Sequence, residues 1–120
     1  MVMSFIHVRT PLAEEISLAR SLERSGDHER AMRHLERAHV LGQRFIGPHV
    51  LVHWLMFRVA VARRDPGAAL GQIARMVLGA LGSAVGVLPI GNTGGSDVSM
   101  FRKMPIPPEL ARRMEGGGHD

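Results

Sequence analysis

Prolines that stand just before apolar stripes are the feature of this sequence that most restricts its fold. Thr10-Pro11 and Asp65-Pro66 each place a capping side chain before a proline, and Pro48 opens a third apolar stretch. A proline fits the first turn of a helix, where its missing N–H needs no partner, and a preceding Thr or Asp can accept hydrogen bonds from free backbone N–H groups. We therefore predict four main helices, at about 11–24, 28–41, 48–63 and from 66 into a glycine-rich end at Gly79, Gly82 and Gly86.

The spacing of apolar residues agrees with these helices and predicts how they pack. The first two helices each carry one apolar stripe, whereas the third is apolar almost all round and is predicted to be the central, most buried helix. Residues 76–90 contain no charge, but these 15 residues are fewer than a membrane-spanning helix needs, so we predict a buried core helix there. The stripes are Leu12, Ile16, Ala19 and Leu22 in the first helix and Ala31, Leu35 and Ala38 in the second.

The first two helices match the packing pattern of a tetratricopeptide-type hairpin, and a weaker echo of that pattern runs from Phe57 to Met76. Two hairpins are fewer than the repeats that an independent solenoid usually needs. We therefore predict an all-α fold, a compact bundle of about four main helices arranged as two tetratricopeptide-like hairpins and closed by a Gly/Pro-rich C-terminal segment.

The length of the chain predicts a single domain with a helical core at about 10–88. A loop and an extended segment follow at 89–108, then a short helix from Pro108 to Met114 and a frayed tail at 115–120. The loop contains GNTGGSDVS at 91–99, which either closes over the bundle as a rigid loop or forms an anion-binding nest of backbone N–H groups. It matches neither a Walker A loop nor a dinucleotide-binding loop, because the glycine spacing differs from both.

Composition restricts the chemistry and the partners. The chain has no cysteine, so any metal must be held by nitrogen and oxygen. The net charge is +4, but the arginines are scattered, which indicates solvated helix faces rather than a specific nucleic-acid footprint. The arginine-rich rims of the predicted hairpins are compatible with a protein or acidic peptide partner. The apolar fourth helix is compatible with a homodimer. The N-terminus lacks the pattern of a secretion signal, so we expect a cytoplasmic location and no membrane span.

Four of the seven histidines fall between residues 34 and 54, and they carry the candidate site. His49 and His53 are four residues apart and share one helix face, while Glu36 and His39 have the Glu-x-x-His spacing found in di-iron bundles. A genuine di-iron protein needs two such motifs and two further glutamates, and this chain has one motif. The candidate metal ligands are His39, His49, His53, Glu36 and His34, for a divalent transition metal such as zinc or iron.

Two functions remain open at this stage. The favoured one is an interaction module, in which tetratricopeptide-like hairpins bind a partner and the histidines form a buried, hydrogen-bonded polar cluster. The alternative is a metal-binding protein or a metal-dependent enzyme, which requires at least three of the candidate ligands to converge on one point. The sequence identifies no reaction and no catalytic residue, since no serine or acid has the spacing of a visible triad.

Four blocks of the chain resemble a family of small bacterial proteins classed only as a domain of unknown function. These blocks are HLERAHVLGQ at 34–43, PHVLVHW at 48–54, PIGNTGG at 89–95 and MPIP at 104–107. The resemblance covers nearly the whole chain. It implies membership of that family and no particular activity.

Overall fold

The structure is a computed structural model that describes residues 5–85, 92–95 and 102–115. It confirms the all-α fold, because the described residues form five helices and contain no strand. The helices are α1 (Phe5–Arg24), α2 (His28–Gly42), α3 (Ile46–Ala62), α4 (Pro66–Val85) and α5 (Pro108–Met114). None of the helices within the described residues is both long and apolar enough to cross a membrane.

Neighbouring helices along the chain pack against each other. The main pairs are α1 with α2 and α3 with α4, the second pair joined to the first through α2 and α3, and α5 rests on α1 and α2. This arrangement agrees with two successive helical hairpins, while the closer likeness to tetratricopeptide repeats stays a prediction. The core between the helices is built from fully buried apolar side chains, among them Val8, Leu35, Leu41, Val52, Met56, Val59 and Leu110.

Aspartate caps open two of the helices as predicted. The carboxylate of Asp27 accepts a hydrogen bond from the backbone N–H of Arg30 at 3.1 Å, and that of Asp65 accepts one from Ala68 at 3.0 Å. Each bond satisfies a backbone donor that has no partner inside its own helix. Gly26, before the first of these caps, has a φ of +84°, which confirms the predicted turn between α1 and α2.

The predicted start of the first helix at Pro11 is wrong, because α1 begins at Phe5 and contains Pro11 in its interior. An interior proline removes one backbone hydrogen bond. Packing offsets this loss, since Val8 is completely buried and the ring of Phe5 meets that of Phe45 edge to face at 5.2 Å. Tertiary contacts therefore extend this helix beyond the point at which local capping signals would begin it.

The predicted burial of α3 and α4 is also wrong in part. On α4, only Ala69 and Gln72 are buried among the side chains that the structure describes. Its outer face exposes Leu70, Ile73, Val77, Leu78 and Leu81. Likewise, α3 buries one side and leaves Leu51, Trp54 and Val61 about half exposed. The reason is geometric, because among the described residues each of these helices has neighbours on only part of its circumference. Residues 86–90 of the predicted core helix lie outside the described residues.

The C-terminal elements agree with the prediction. Residues 102–107 have no regular secondary structure, and Pro107, with φ −53° and ψ 137°, leads into α5 at the predicted residue. Ile106 packs against the core, and Leu110 and Met114 of α5 are buried in it. The segment therefore covers one end of the bundle.

Candidate metal centre

Three histidines converge on one buried point between α2 and α3. The Nε2 atom of His39 lies 3.0 Å from the Nε2 atom of His49 and 3.0 Å from that of His53, and the last two atoms are 3.2 Å apart. All three side chains are buried, with at most 4% of any residue exposed. Among the Cys, His, Asp and Glu side chains that the structure describes, this triad is the group able to hold a metal ion. We call it the histidine triad.

The connection between α2 and α3 produces this convergence. His39 lies in the last turn of α2 and His49 in the first turn of α3, and only Gln43, Arg44 and Phe45 separate the two helices. His53 follows His49 by four residues and therefore projects from the same face of α3. The short connection thus brings the end of one helix beside the start of the next, so that the three rings point at one another.

A shell of hydrogen bonds fixes two of the rings from outside. The Nδ1 atom of His39 lies 2.7 Å from the backbone carbonyl oxygen of Asn92, and the Nδ1 atom of His53 lies 2.7 Å from the Oε1 atom of Gln72. The side-chain amide of Gln72 in turn donates to the carbonyl oxygen of Gly94 at 3.0 Å. Residues 92–95 therefore contact the histidine triad directly, which places this part of the predicted closing loop over the bundle.

The loop is held by its own hydrogen bonds. The side chain of Asn92 accepts from the backbone N–H of Gly94 at 2.8 Å and donates to the carbonyl oxygen of Arg102 at 2.7 Å. The N–H of Gly95 donates to the hydroxyl of Thr93 at 3.4 Å. These two backbone N–H groups are used inside the loop, which favours the closing role over the anion-binding nest for residues 92–95.

The shell also determines where the protons of the rings lie. A backbone carbonyl oxygen only accepts, so the Nδ1 atom of His39 must donate to Asn92. Gln72 gives its N–H group to Gly94 and so presents its oxygen to His53, whose Nδ1 atom must donate as well. A neutral imidazole carries one N–H, and hence the Nε2 atoms of His39 and His53 face each other with lone pairs and no proton between them.

Burial keeps these rings neutral. It lowers the pKa of His39 well below its ordinary value, and the neighbouring imidazoles and Arg75 add to that effect. Burial and His53 lower the pKa of His49 to about 4. Burial also lowers the pKa of His53, while the hydrogen bond that its ring donates to Gln72 acts against this effect and Arg75 acts with it. At neutral pH the triad is therefore a set of neutral nitrogen donors, the form that binds metal ions.

Two glycines allow the surrounding backbone to approach the rings. A Cβ atom at Gly94 would lie 2.4 Å from the Cδ2 atom of His39, and the φ of +80° at this residue is one that side-chain-bearing residues rarely adopt. A Cβ atom at Gly79 of α4 would lie 3.1 Å from the Cε1 atom of His49. The loop and α4 thus enclose the histidine triad at distances that only glycine permits without displacement.

The other two candidate ligands lie elsewhere. Glu36 accepts two hydrogen bonds from Arg33, each of 3.1 Å, and lines a cleft of about 220 Å³ to which Gln72 and Gly95 also contribute. His34 faces α1, where its Nδ1 atom lies 2.6 Å from a carboxylate oxygen of Glu15. The structure therefore brings together three of the five predicted ligands and places Glu36 and His34 outside that group.

Sequence reasoning missed the shell residues Gln72, Asn92 and Gly94. Gln72 sits on the buried side of α4, one turn into an apolar stripe, where a polar residue is a signal of an internal partner. The contribution of Asn92 to His39 is a backbone carbonyl, which has no side-chain signature. Within GNTGG, the run of glycines was the available sign of a close backbone approach.

The fold and the site define a small all-α protein with a buried histidine triad. The chain belongs to the DUF3703 family, described as a protein of unknown function, whose family model matches residues 7–114. No curated protein and no solved structure matches this sequence.

Proposed function

We propose that this protein binds one divalent transition-metal ion through the Nε2 atoms of His39, His49 and His53. The observation that carries the proposal is the meeting of these three atoms, at 3.0 to 3.2 Å, with the lone pairs of His39 and His53 directed inward. In a tetrahedral site with metal–nitrogen bonds of about 2.0–2.1 Å, the ligand nitrogens are about 3.3–3.4 Å apart. The triad is therefore close to the spacing that such an ion requires.

A satisfied cluster of neutral histidines explains this geometry less well. His49 can donate one hydrogen bond from its Nε2 atom, but it cannot donate to both other rings, and the contact between His39 and His53 has no proton in either case. Buried polar atoms that face each other without a hydrogen bond are costly. A cation at the centre bonds to the lone pairs of His39 and His53, and to that of His49 when the proton of this ring is on Nδ1.

The donor set favours zinc over iron. Iron(II) in nitrogen and oxygen sites commonly takes two histidines and a carboxylate, and the triad includes no carboxylate among the described residues. Imidazole suits zinc, cobalt(II), nickel and copper(II), and zinc readily takes three histidines with a water molecule or substrate as the fourth ligand. The proposed centre therefore has one exchangeable position, as catalytic zinc sites do.

The test is elemental analysis of untagged protein purified without a chelator, followed by removal and return of zinc. We expect about one equivalent of a single metal, or uptake of one equivalent of zinc by the stripped protein, in keeping with a mononuclear site. The variant His53→Ala should lose this uptake, whereas the control variant His34→Ala should retain it. Stripped wild-type protein that takes up none of zinc, cobalt, nickel, copper or iron would refute the proposal.

We infer a second candidate function, an interaction surface, from a different observation. The outer face of α4 presents apolar side chains at three- and four-residue spacing, namely Leu70, Ile73, Val77 and Leu81. Arg75 is the one charged residue of this helix, so the face offers little to an acidic peptide and suits a second copy of the chain. Analytical ultracentrifugation should show a dimer that Val77→Glu converts to monomer, and a monomeric wild-type protein at all concentrations would exclude this function.

A further inference from the structure

A cleft between α1 and α3, remote in the sequence from the histidine triad's shell, is lined by charged residues. It has a volume of about 360 Å³ and is lined by Arg20, Glu23 and Arg24 of α1 and by Arg58 of α3. We call it the arginine cleft. Arg20 and Arg24 are four residues apart and share one face of α1, while Arg58 reaches the same cleft from the second hairpin. Three guanidinium groups therefore border one concavity.

The arginines of this cleft differ from those of α2 in their partners. Every arginine of α2 forms an ion pair with a carboxylate. The pairs are Arg30 with Asp27 at 3.7 Å, Arg33 with Glu36 at 3.1 Å and Arg37 with Glu15 at 2.9 Å. By contrast, no carboxylate of the described residues forms an ion pair with Arg20, Arg24 or Arg58, and this includes Glu23 in the same cleft. The described part of the chain therefore leaves the charge of these three side chains unpaired.

Helix energetics account for one of these arginines and not for the other two. Arg24 lies in the last turn of α1, where a cation is favourable beside the negative end of the helix dipole. Arg20 lies one turn earlier and forms a like-charge pair with Arg24, which is destabilising. Arg58 precedes the last turn of α3, and the residues three and four positions from it carry no charge. A cluster of like charges that costs stability is typical of a binding site, where a ligand supplies the counter-charge.

A phosphate group matches the arginine cleft in charge and in number of oxygens. Three arginines and one glutamate give the lining a net charge of +2. A phosphate monoester carries about −1.5 to −2 charges at pH 7 and three terminal acceptor oxygens, whereas a carboxylate carries one charge and two oxygens. Guanidinium groups bind phosphate oxygens through paired N–H donors. Glu23 repels a phosphate, but its carboxylate can accept a hydrogen bond from a hydroxyl group elsewhere on the same ligand.

We propose that the arginine cleft binds a small phosphorylated molecule, with its phosphate group on Arg20, Arg24 and Arg58 and a hydroxyl group on Glu23. The volume of the cleft lies within the range of about 300–1,000 Å³ found for small-molecule sites. Its described lining contains no apolar side chain, which favours a strongly polar ligand. The site is separate from the proposed metal centre and does not depend on it.

The experiment is isothermal titration calorimetry on metal-free protein, dialysed to remove the chelator, so that no metal ion takes part. Wild-type protein is titrated with inorganic phosphate and, separately, with glycerol phosphate. We expect both to bind, and glycerol phosphate more tightly, because its hydroxyl groups meet Glu23. Arg20→Gln and Arg58→Gln should each weaken glycerol phosphate by about five- to tenfold. Glu23→Ala should bind inorganic phosphate more tightly than wild type and lose the preference for glycerol phosphate.

Arg9→Gln is the matched control for these variants. It removes the same charge from an exposed position of α1, about three turns before Arg20, and does not line the cleft. Its affinity for both compounds should equal that of wild type. Because the clustered charges weaken the fold, Arg20→Gln and Arg58→Gln should melt at or above the temperature of wild type, which shows that the site was lost and not the fold.

Three results would overturn the proposal. In the first, wild-type protein binds neither phosphate compound. In the second, Arg9→Gln weakens binding as much as Arg20→Gln, which would mean that the anions respond to the net charge of the protein and not to the cleft. In the third, a hexaglutamate peptide or a single-stranded oligonucleotide binds through Arg20 and Arg58 while neither phosphate compound does, which would make the cleft a docking site for a polymer. Equal affinities of wild type for inorganic phosphate and glycerol phosphate would overturn the role given to Glu23.

Discussion

Two histidine-containing clusters lie on α2 only a few residues apart, and they differ in what the ring nitrogens meet. In the first, His34 donates to Glu15, whose buried carboxylate also accepts from the Nε atom of Arg37 at 2.9 Å and lies 3.5 Å from Arg113. We call this group the Glu15 cluster. In the second, the histidine triad, two rings donate outward to fixed acceptors and direct their other nitrogen inward at a third ring. The first cluster compensates its own charges, and we propose that the second is completed by a metal ion.

The comparison shows that the groups contacted by the ring nitrogens determine the role of a histidine. The buried carboxylate of Glu15 has cationic donors around it, so its charge is compensated within the protein. It also holds α5 in place, because Arg37 pairs with Glu109 at 2.6 Å and Arg113 pairs with Glu14. The histidine triad joins α2 and α3, and the Nε2 atoms of His39 and His53 meet there without a proton between them. The Glu15 cluster therefore stabilises the fold, whereas we propose that the triad binds a metal ion.

The largest expected effect that separates the two clusters is the response to metal. If zinc binds the folded chain as proposed, free zinc at about a thousand times its dissociation constant should raise the free energy of unfolding by about 4 kcal/mol. For a domain of this size we expect the melting temperature to rise by roughly 15 °C. Thermal unfolding with zinc and with EDTA measures this increment in melting temperature. His34→Ala should lower both melting temperatures and keep the increment, and an increment lost in that variant would contradict the division of roles.

The next largest effect should come from Gly94→Ala, which forces a methyl group into the ring of His39. The φ of +80° alone costs about 1–2 kcal/mol for alanine, and the contact at 2.4 Å adds a packing cost, so we expect a loss of about 3 kcal/mol. Zinc affinity should fall as well, because the ring must move. Gly26→Ala is the matched control, since its φ is +84° but no atom lies within 4 Å of the added methyl group. Urea unfolding of both variants checks this, and equal losses would mean that the close approach to His39 is unimportant.

The Glu15 cluster should respond to Glu15→Gln with a loss of stability of about 2 kcal/mol and no loss of zinc affinity. The amide keeps the size of the side chain but replaces one acceptor oxygen with a donor that faces arginine. Because Arg37 and His34 are partly exposed, water recovers part of the lost interaction, which keeps the effect below that of a fully buried ion pair. Urea unfolding with EDTA measures the loss of stability, and a zinc competition titration measures the zinc affinity. A fall in zinc affinity as large as the fall in stability would show that the clusters are coupled.

The sequence predicted most of the fold because its signals are local. Aspartate caps, a positive-φ glycine and prolines near helix starts lie within a few residues of the features they produce, as Asp27, Gly26 and Pro108 show. The start of α1 was missed for the opposite reason. The contact of Phe5 with Phe45 and the burial of Val8 depend on helices that are distant in sequence, and they outweigh the local effect of Pro11.

Only those parts of the candidate site that follow from helix periodicity and a short connection could be predicted from the sequence. The four-residue spacing of His49 and His53 places them on one face, and the short connection after α2 puts His39 near them. Periodicity places His34 on one edge of the α2 stripe but does not say which helix covers that edge, and in the structure it faces Glu15 of α1. Glu36 has Arg33 one turn away as a competing partner. Shell contacts from residues 72 and 92 depend on tertiary packing alone.

A smaller effect is expected from the shell of the triad. Gln72→Leu removes the acceptor of the Nδ1 proton of His53, so the ring loses its fixed orientation and tautomer. Loss of such a partner typically lowers metal affinity by about 10- to 100-fold. Competition against a zinc chelator measures the change. Gln72→Glu keeps an acceptor in place and should retain more affinity than Gln72→Leu; the reverse order would mean that the hydrogen bond does not orient His53.

The smallest effect concerns acid, in protein kept free of metal with EDTA. Burial lowers the pKa of His39, His49 and His53 in the folded chain, so on acidification the unfolded chain takes up protons first, near pH 6.5. The stability associated with the triad is therefore complete above that pH and declines as the pH falls towards 4, the pKa of His49. One proton contributes at most about 1.4 kcal/mol per pH unit. Urea unfolding between pH 7.5 and 4.5 should show this decline in wild type and a shallower one in His49→Leu, with the carboxylates common to both proteins. A slope that is the same in the two proteins would mean that the buried rings do not resist protonation, and the lone-pair argument for a cation among them would lose its basis.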